Sequence, residues 1–255
     1  MPALASLHAL ITGGGSGIGA AIAQALTTEG AAVSLVGRRK VALDKVAKNL
    51  SRASAIAADV TNPADCAAMV QAARAAHGPI DIVIANAGAA ESAPFARISP
   101  EHWQRMIGVN LTGAYLTVQA ALGDVMREGD GTRRIVFTAS TAGLQGYPYV
   151  AAYCAAKHGV VGLARALATE LKKSGLTVNA VCPGFTDTPL LDASATALAG
   201  KTGRTIAEAR AALAKGNPHG RLISPKDVAA KVLRLCLPTA NSINGEIIVI
   251  AEGGE

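Results

Sequence analysis

The chain has 255 residues, half of them apolar and only 3% aromatic, with a formal net charge of +6. The 24 basic residues are scattered along the sequence and few aromatic rings are available to stack on bases, which argues against nucleic-acid binding. No stretch reaches the roughly 18 consecutive apolar residues that a membrane-spanning helix needs, so no membrane partner is expected. The four cysteines form no C-x-x-C pair and the five histidines show no H-x-x-x-H spacing, so we expect neither a disulfide scaffold nor a metal site.

The amino-terminal segment MPALASLHALITGGG has no basic region and no cleavage site, and its apolar stretch runs directly into a glycine turn. It therefore does not resemble an export signal. Cysteines without close partners in sequence fit a reducing compartment. We expect a cytoplasmic protein.

Short apolar runs alternate with helix-length amphipathic segments along the whole sequence. This alternation predicts a parallel, doubly wound α/β sheet of seven strands with helices on both faces. No linker, repeat or low-complexity tract interrupts it, so we predict a single domain over residues 1–255. The predicted strands cover residues 8–12, 32–36, 54–58, 80–85, 134–139, 177–182 and 246–250, and the predicted helices cover 17–29, 40–52, 63–77, 99–126, 150–173 and 225–236.

The first strand is followed by TGGGSGIG, residues 12–19, which leads into the first helix. Glycines at such a junction let the backbone turn tightly and approach a pyrophosphate, whose charge is stabilised by the helix N-terminus. No lysine follows Gly19, which excludes a P-loop. A simple strand-to-helix turn would look similar, so this motif does not decide the function by itself.

Polar and turn residues follow several other strands. Asp59 and Val60 end the third strand, NAG (residues 86–88) ends the fourth, Ser140 ends the fifth and PGFTDT (residues 183–188) ends the sixth. Each could be an ordinary turn. Because the carboxyl ends of parallel strands meet at one edge of a sheet, their shared placement favours a ligand site there.

The segment AAYCAAKHG places Tyr153 and Lys157 four positions apart, on one face of a helix. Either the ring packs in the core while the lysine reaches water, or the cation lowers the pKa of the phenol toward the working pH, which would make it a proton donor or acceptor. Ser140 stands 13 residues before Tyr153 and could bind a substrate carbonyl oxygen or simply cap a turn. No G-x-S-x-G surrounds it, so a nucleophilic serine is not predicted.

Residues 185–225 interrupt the alternation of strands and helices. They contain glycine, proline and threonine, and then one short helix that begins at a capping box formed by Thr205 and Glu208. Insertions at this position lie over the ligand crevice, so we predict a small helical lid, which together with GLQGYPY (residues 143–149) would line the substrate pocket. Between residues 185 and 226, six basic and three acidic residues give a net charge of +3, which indicates either an anionic substrate or a solvated helix face.

Together these motifs resemble those of the short-chain dehydrogenase/reductase family over essentially the whole chain. The TGxxxGxG pattern, the NAG triplet, the serine followed by YxxxK and the PG turn occur in the family's order and at its spacing. The resemblance implies a Rossmann-like fold and an NAD(P)-dependent oxidoreductase that interconverts a secondary alcohol and a ketone. It also implies a homotetramer, because members usually pair the helices that correspond to 99–126 and 150–173.

The resemblance also implies a role for each matching residue. Tyr153 would be the catalytic acid/base, Lys157 would lower its pKa and hold the nicotinamide ribose, and Ser140 would orient the substrate oxygen. Asn110, in VNLTG, matches the asparagine that holds a water in the family's proton relay. Besides Tyr153 and Lys157, cofactor contacts are implied for Gly13, Ser16, Gly17, Ile18, Gly19, Arg38, Asp59, Val60, Asn86, Gly88, Pro183, Gly184 and Thr188.

The end of the second strand, SLVGRRK, bears on the choice of nicotinamide cofactor. Gly37 holds the position at which an acid would bind the ribose 2′-hydroxyl of NAD, and Arg38 follows it. A guanidinium can bind a 2′-phosphate bidentately, and the resemblance to NADP-using relatives agrees, so NADP(H) is favoured. Ser16 stands where many such relatives carry a second basic residue, which keeps NAD(H) as the alternative.

The sequence leaves the substrate open. A 3-oxoacyl thioester of CoA or of a carrier protein would suit a basic lid, and small cyclic or aryl ketones and alcohols are the next hypothesis. A catalytically idle nucleotide-binding protein is a remote alternative, since such a protein would be expected to have lost Ser140, Tyr153 or Lys157.

Overall fold

The computed structural model describes residues 2–128 and 132–251, so residues 1, 129–131 and 252–255 of the predicted domain lie outside it. The described residues contain one seven-stranded sheet in which every pairing is parallel, in the order β3-β2-β1-β4-β5-β6-β7. This confirms the predicted fold class. The strands are β1 (His8–Thr12), β2 (Ala32–Gly37), β3 (Ala53–Ala57), β4 (Ile82–Ala85), β5 (Arg134–Thr138), β6 (Thr177–Pro183) and β7 (Ile247–Ile250).

The helices cover both faces of the sheet. Before four of them a capping side chain precedes a proline: Asn62 accepts a hydrogen bond from Ala64, Ser99 from His102, Thr188 from Leu191 and Ser224 from Lys226. The helices are α1 (Gly17–Thr28), α2 (Lys40–Ala47), α3 (Pro63–His77), α4 (Pro100–Ile107), α5 (Gly113–Val125), α6 (Ala151–Glu170), α7 (Pro189–Thr202), α8 (Ile206–Ala214) and α9 (Pro225–Cys236).

Two apolar layers hold the helices on the sheet. Alternate strand residues point to opposite faces, so that Leu10 and Ile11 of β1 enter different core clusters. One cluster joins the sheet to α3, α5 and α6, and the other joins it to α1 and α9. The chain builds β1 to β3 outward from the middle and then returns to place β4 beside β1, so the strand order reverses between these two strands. Open α/β sheets bind ligands at the carboxyl ends of the strands at this point.

The prediction of one helix over 99–126 was wrong in detail. A π-helical segment, Gly108–Thr112, separates α4 from α5, and the Gly113 N–H donates to the carbonyl of Gly108, five residues earlier. Asn110 accounts for part of this change, because its own amide Nδ2 donates to the carbonyl of Met106 at 2.9 Å. Apolar periodicity cannot reveal one extra residue in a helical turn.

The lid is also more regular than predicted. It contains two helices, α7 and α8, where the sequence indicated only the second. Thr188 caps α7 by accepting the N–H of Leu191 at 3.3 Å, and Pro189 occupies the first helical position. The capping box of Thr205 and Glu208 forms as predicted at the start of α8.

Candidate active site

The glycine turn between β1 and α1 closes tightly on itself. Gly13 and Gly17 have φ values of +69° and +54°, in the region that disfavours other residues. A Cβ on Gly19 would lie 2.4 Å from the Gly13 carbonyl oxygen, a distance that no side chain can occupy. Helix α1 starts at Gly17 after the N-cap Ser16, so a helix N-terminus opens directly above the turn. This compact backbone cradle fits the pyrophosphate of a dinucleotide.

Thr12 and Asn86 lock the ends of β1 and β4 together. The Asn86 side-chain Nδ2 donates to the Thr12 carbonyl at 2.9 Å, and the Thr12 hydroxyl oxygen accepts the N–H groups of Asn86 and Ala87 at 3.0 and 3.1 Å. Asn86 was expected as a cofactor contact, and its side-chain amide also positions the glycine turn. Thr12 was not among the expected site residues, although its place at the end of the first strand was a usable signal.

The residues after β6 reach the same turn. A Cβ on Gly17 would lie 3.1 Å from the Thr188 Cγ2, so the start of α7 packs against the start of α1. Gly184 must remain small, because a Cβ there would meet the Asn217 Oδ1 at 2.4 Å. Pro183, the last residue of β6, accepts a hydrogen bond from the Ser140 hydroxyl at 3.5 Å. The structure thus brings the PGFTDT segment to the glycine turn, as the sequence predicted.

Asp59 and Arg38 lie close together beyond the ends of β3 and β2. The backbone N–H and hydroxyl of Thr61 donate to the Asp59 carboxylate at 2.9 and 2.8 Å and hold its pKa below the ordinary value, with a smaller contribution from Arg38. Val60 is buried, and its side chain occupies the space into which a Cβ on Gly113 would point. Both residues lie at the edge of the sheet where the sequence predicted a ligand site.

Ser140 lies within reach of the Tyr153 hydroxyl for a hydrogen bond that would lower the pKa of the phenol. The Ser140 hydroxyl oxygen also accepts the Ala142 N–H at 3.1 Å, so the serine caps the short turn Thr141–Gly143 at the end of β5. Burial raises the pKa of Tyr153 to about 12, and the hydrogen bond from Ser140 offsets only part of that rise.

Lys157 lies one helical turn after Tyr153 and is almost completely buried. Its Nζ donates to the Thr138 carbonyl at 2.8 Å and lies 5.7 Å from the centre of the Tyr153 ring. Burial lowers its pKa to about 8. Burial is the largest influence on the pKa of each group, and the lowering of the Tyr153 pKa by Lys157 beside an oxidised nicotinamide stays a prediction.

Gly88 lies close to the side chains of both Asn110 and Lys157. The Asn110 side chain accepts the Ala89 N–H at 3.2 Å and donates to the Ala89 carbonyl at 2.9 Å, which fixes the NAG loop to the π-helical segment. A Cβ on Gly88 would lie 2.8 Å from the Asn110 Oδ1 and 3.7 Å from the Lys157 Nζ. The structure thus assembles all four expected catalytic residues at one edge of the sheet.

The lid is fastened by charged side chains that sequence reasoning did not single out. Arg210 of α8 pairs with Asp192 of α7 and, at 2.6 Å, with Asp187 in the segment before α7. Lys201 near the end of α7 donates to the carbonyl and hydroxyl of Ser92 at 2.7 and 3.3 Å, which ties the lid to the loop that follows β4. These contacts join segments far apart in sequence, so no local pattern could reveal them.

Comparison with known proteins identifies the family of the chain. A family model described as "short chain dehydrogenase" matches residues 7–198. The chain belongs to the short-chain dehydrogenase family. Cis-4-hydroxycyclohexanecarboxylate dehydrogenase of Sinomonas cyclohexanicum is 38% identical over 257 residues, covering 99% of this chain and 97% of that protein.

Solved structures of short-chain dehydrogenases agree with this one along nearly its whole length. A variant of the actinorhodin polyketide ketoreductase with NADPH superposes with a TM-score of 0.90 at 34% identity, covering 96% of this chain and 95% of that chain. The 3-ketoacyl-(acyl-carrier-protein) reductase of Brucella melitensis, complexed with NADH, gives a TM-score of 0.85 at 33% identity and 96% coverage of both chains.

The protein is therefore an NAD(P)-dependent oxidoreductase that interconverts secondary alcohols and ketones. Within residues 2–128 and 132–251, no helix combines the length and apolar character needed to cross a membrane.

Proposed function

We propose that this short-chain dehydrogenase acts as an NADP(H)-dependent ketone reductase, with Tyr153 as proton donor, Ser140 and Lys157 beside it and Asn110 behind them. One observation carries the proposal: Ser140, Tyr153 and Lys157 converge at the edge of the sheet that also holds the glycine cradle. We further propose that residues 1–255 form one domain and that the enzyme is a cytoplasmic homotetramer.

In this proposal each catalytic side chain has a distinct task. The Ser140 hydroxyl donates a hydrogen bond to the substrate carbonyl oxygen, and the Tyr153 hydroxyl gives its proton to that oxygen as it becomes an alcohol. The Lys157 ammonium stabilises the phenolate left on Tyr153, while Asn110 supports the polar path behind Lys157. A bound nicotinamide supplies the hydride.

The protonation states are compatible with Tyr153 as the proton donor in ketone reduction. A phenol with a pKa of about 12 carries its proton at neutral pH, and a lysine with a pKa of about 8 is mostly charged there. Tyr153 thus holds the one proton that ketone reduction consumes, and Lys157 carries the charge that would stabilise the remaining phenolate.

The cofactor contacts proposed for the glycine cradle follow from its shape. The backbone at Gly13, Gly17 and Gly19 would receive the pyrophosphate, with Ser16 and Ile18 beside it. Further contacts are proposed for Asp59, Val60, Asn86, Gly88, Pro183, Gly184 and Thr188, with Tyr153 and Lys157 at the nicotinamide ribose. The preference for NADP(H) rests on Gly37, which offers no carboxylate at the end of β2, and on Arg38, which would bind the 2′-phosphate.

Two substrate classes are compatible with the relatives. Similarity to the 3-ketoacyl-(acyl-carrier-protein) reductase of Brucella favours 3-oxoacyl thioesters, and similarity to the cis-4-hydroxycyclohexanecarboxylate dehydrogenase of Sinomonas favours a cyclic alcohol or ketone. The lid charge, which suggested an anionic substrate, is partly used within the protein, since Arg210 lies between two carboxylates.

The test is a steady-state assay of the purified enzyme against ketones and 3-oxoacyl thioesters with NADPH and with NADH. We expect a higher kcat/KM with NADPH. A kcat/KM that favours NADH would contradict the cofactor proposal, and no turnover of any carbonyl compound with either cofactor would contradict the proposed catalytic roles.

A further inference from the structure

Exposed apolar side chains gather around the catalytic edge of the sheet. Phe95 follows β4, Leu144 and Tyr149 follow β5, and Leu190 begins the lid helix after β6. These three strands are neighbours in the sheet, so the segments that leave their carboxyl ends lie side by side above Ser140 and Tyr153. Phe95 is 79% exposed and Tyr149 is 65% exposed, which leaves two aromatic rings largely open to solvent. Such a group of apolar side chains is expected where a ligand covers it.

Tyr149 has a backbone conformation that costs free energy. Its φ is +67°, and it is the only non-glycine residue with a positive φ in the described part of the chain. A bulky residue rarely adopts this conformation. Because the ring is mostly exposed, packing of the side chain into the core does not compensate for the strain. Tyr149 thus combines a strained backbone conformation with an exposed aromatic ring. This combination points to a role of its side chain in ligand binding.

The same residue occupies a fixed point at the entrance to the site. The Tyr149 carbonyl accepts the Ala93 N–H at 2.8 Å, and the neighbouring Ser92 accepts hydrogen bonds from Lys201 of the lid. The loop after β4 is thereby joined on one side to the segment that precedes α6 and on the other to α7. Tyr149 also stands four residues before Tyr153 and directly before Val150, the N-cap of the helix that carries the proposed proton donor.

Two arginines near this entrance are paired with carboxylates. Arg210 is shared by Asp187 and Asp192, so the base of the lid offers one guanidinium for two carboxylates. On the other side, Glu91 pairs with Arg105 at 2.9 Å. Neither arginine is therefore free to bind an anionic group, and Lys201 at the same entrance donates to the uncharged Ser92.

We propose that Tyr149 is a specificity-determining residue and that its ring, with Phe95, holds an uncharged ketone that carries a planar ring. The inference rests on the proposed ketone reduction and selects one of its two substrate classes. Aromatic rings gain more from contact with another ring than area alone would give, whereas a flexible alkyl chain loses rotational freedom on binding. A ring-bearing ketone should therefore exceed an open-chain ketone of equal carbon count by about tenfold in kcat/KM.

The experiment compares acetophenone, 2-octanone and acetoacetyl-CoA as substrates with NADPH, in the wild type and in three variants. Tyr149→Phe keeps the ring, whereas Tyr149→Gly and Tyr149→Asn remove it and tolerate the positive φ. We expect the wild type and Tyr149→Phe to prefer acetophenone to 2-octanone. We expect both ring-less variants to lose about tenfold in kcat/KM for acetophenone, to change less than about twofold for 2-octanone, and to keep or raise the unfolding temperature.

The possible results separate the inference from the proposed function. Reduction of both ketones without a ring preference, or a preference that survives Tyr149→Gly, overturns the inference and leaves ketone reduction standing. A higher kcat/KM for acetoacetyl-CoA than for either ketone, unchanged in Tyr149→Gly, overturns it in favour of the thioester class. A lowered unfolding temperature in both ring-less variants overturns it in favour of a structural role. No reduction of any of the three compounds overturns the proposed function itself.

Discussion

The site has two regions that are held by different kinds of contact. One lies at the carboxyl ends of β1 and β4, and the other at the carboxyl ends of β5 and β6. At β1 and β4, backbone meets backbone: a Cβ on Gly19 would almost touch the Gly13 carbonyl, and the Asn86 amide binds the main chain of Thr12. At β5 and β6, side chains predominate, with Arg210 and Lys201 fastening a lid above two exposed rings. The backbone contacts at β1 and β4 leave little room for substitutions and suit a ligand that stays the same. The side-chain contacts at β5 and β6 can change by substitution, and the ligand bound there can change with them.

Tyr153 lies where these two regions meet, and its replacement should have the largest effect. Tyr153→Phe removes the hydroxyl but keeps the ring, so the fold and cofactor binding should persist while kcat falls by at least about 100-fold, the typical loss for a general acid. Stopped-flow and steady-state kinetics, with a titration of NADPH binding, would measure this. A kcat close to that of the wild type would show that another group donates the proton.

The buried lysine predicts a pH dependence of stability. The pKa of Lys157 is about 8 in the folded protein and lies near 10.5 in an unfolded chain, so between these pH values the unfolded state binds more protons. Stability contributed by this residue should thus rise with pH through that interval, by about 3 kcal/mol in total. Urea unfolding of the cofactor-free wild type and Lys157→Met, at pH 7 and near pH 10.5, would test it. If the difference between the two proteins is the same at both pH values, the lysine is not desolvated as the structure indicates.

The tight backbone packing at the ends of β1 and β4 can be tested by replacing two glycines, one inside this region and one in the lid. A Cβ at Gly19 has no space, so Gly19→Ala should cost about 1 to 3 kcal/mol of stability and weaken NADPH binding. In α7, a Cβ at Gly200 would meet nothing within 4 Å, so Gly200→Ala should stabilise the lid helix by roughly 0.5 to 1 kcal/mol. Thermal unfolding and fluorescence titration with NADPH measure both. Equal effects of the two substitutions would show that the region at β1 and β4 is not more tightly packed than the lid.

Cofactor preference should respond to the end of β2. A Cβ on Gly37 would be in ordinary contact with Leu43 at 3.7 Å, so an aspartate fits there. Gly37→Asp with Arg38→Leu should shift the ratio of kcat/KM from NADPH toward NADH by about 1 to 3 kcal/mol, because it exchanges a phosphate-binding cation for a ribose-binding acid. Arg39→Leu serves as the control for the loss of one neighbouring charge and should leave the ratio nearly unchanged.

The sequence predicted more of the region at the ends of β1 and β4 than of the region at the ends of β5 and β6. The glycine turn, the NAG loop and the PG turn are local patterns whose spacing reflects chain geometry, and the structure brings Gly13, Asn86 and Thr188 together as expected. The pairing of Arg210 with Asp187 and the bond from Lys201 to Ser92 depend on how the lid folds back, which no local pattern records. The pKa of Tyr153 was missed for a similar reason, since burial is a property of the assembled fold.

The π-helical segment between α4 and α5 has a consequence for insertions and deletions. Loss of one residue from an α-helix turns everything beyond it by about 100° and misaligns its buried face. A π turn already contains one residue more than an α turn, so deletion of Val109 would convert Gly108–Thr112 to regular helix and leave α4 and α5 facing the core as before. The contacts of Asn110 with Ala89 and Met106 would nevertheless be lost. Deletion of this one residue is therefore expected to leave the helices folded and to disrupt the proposed proton path through Asn110.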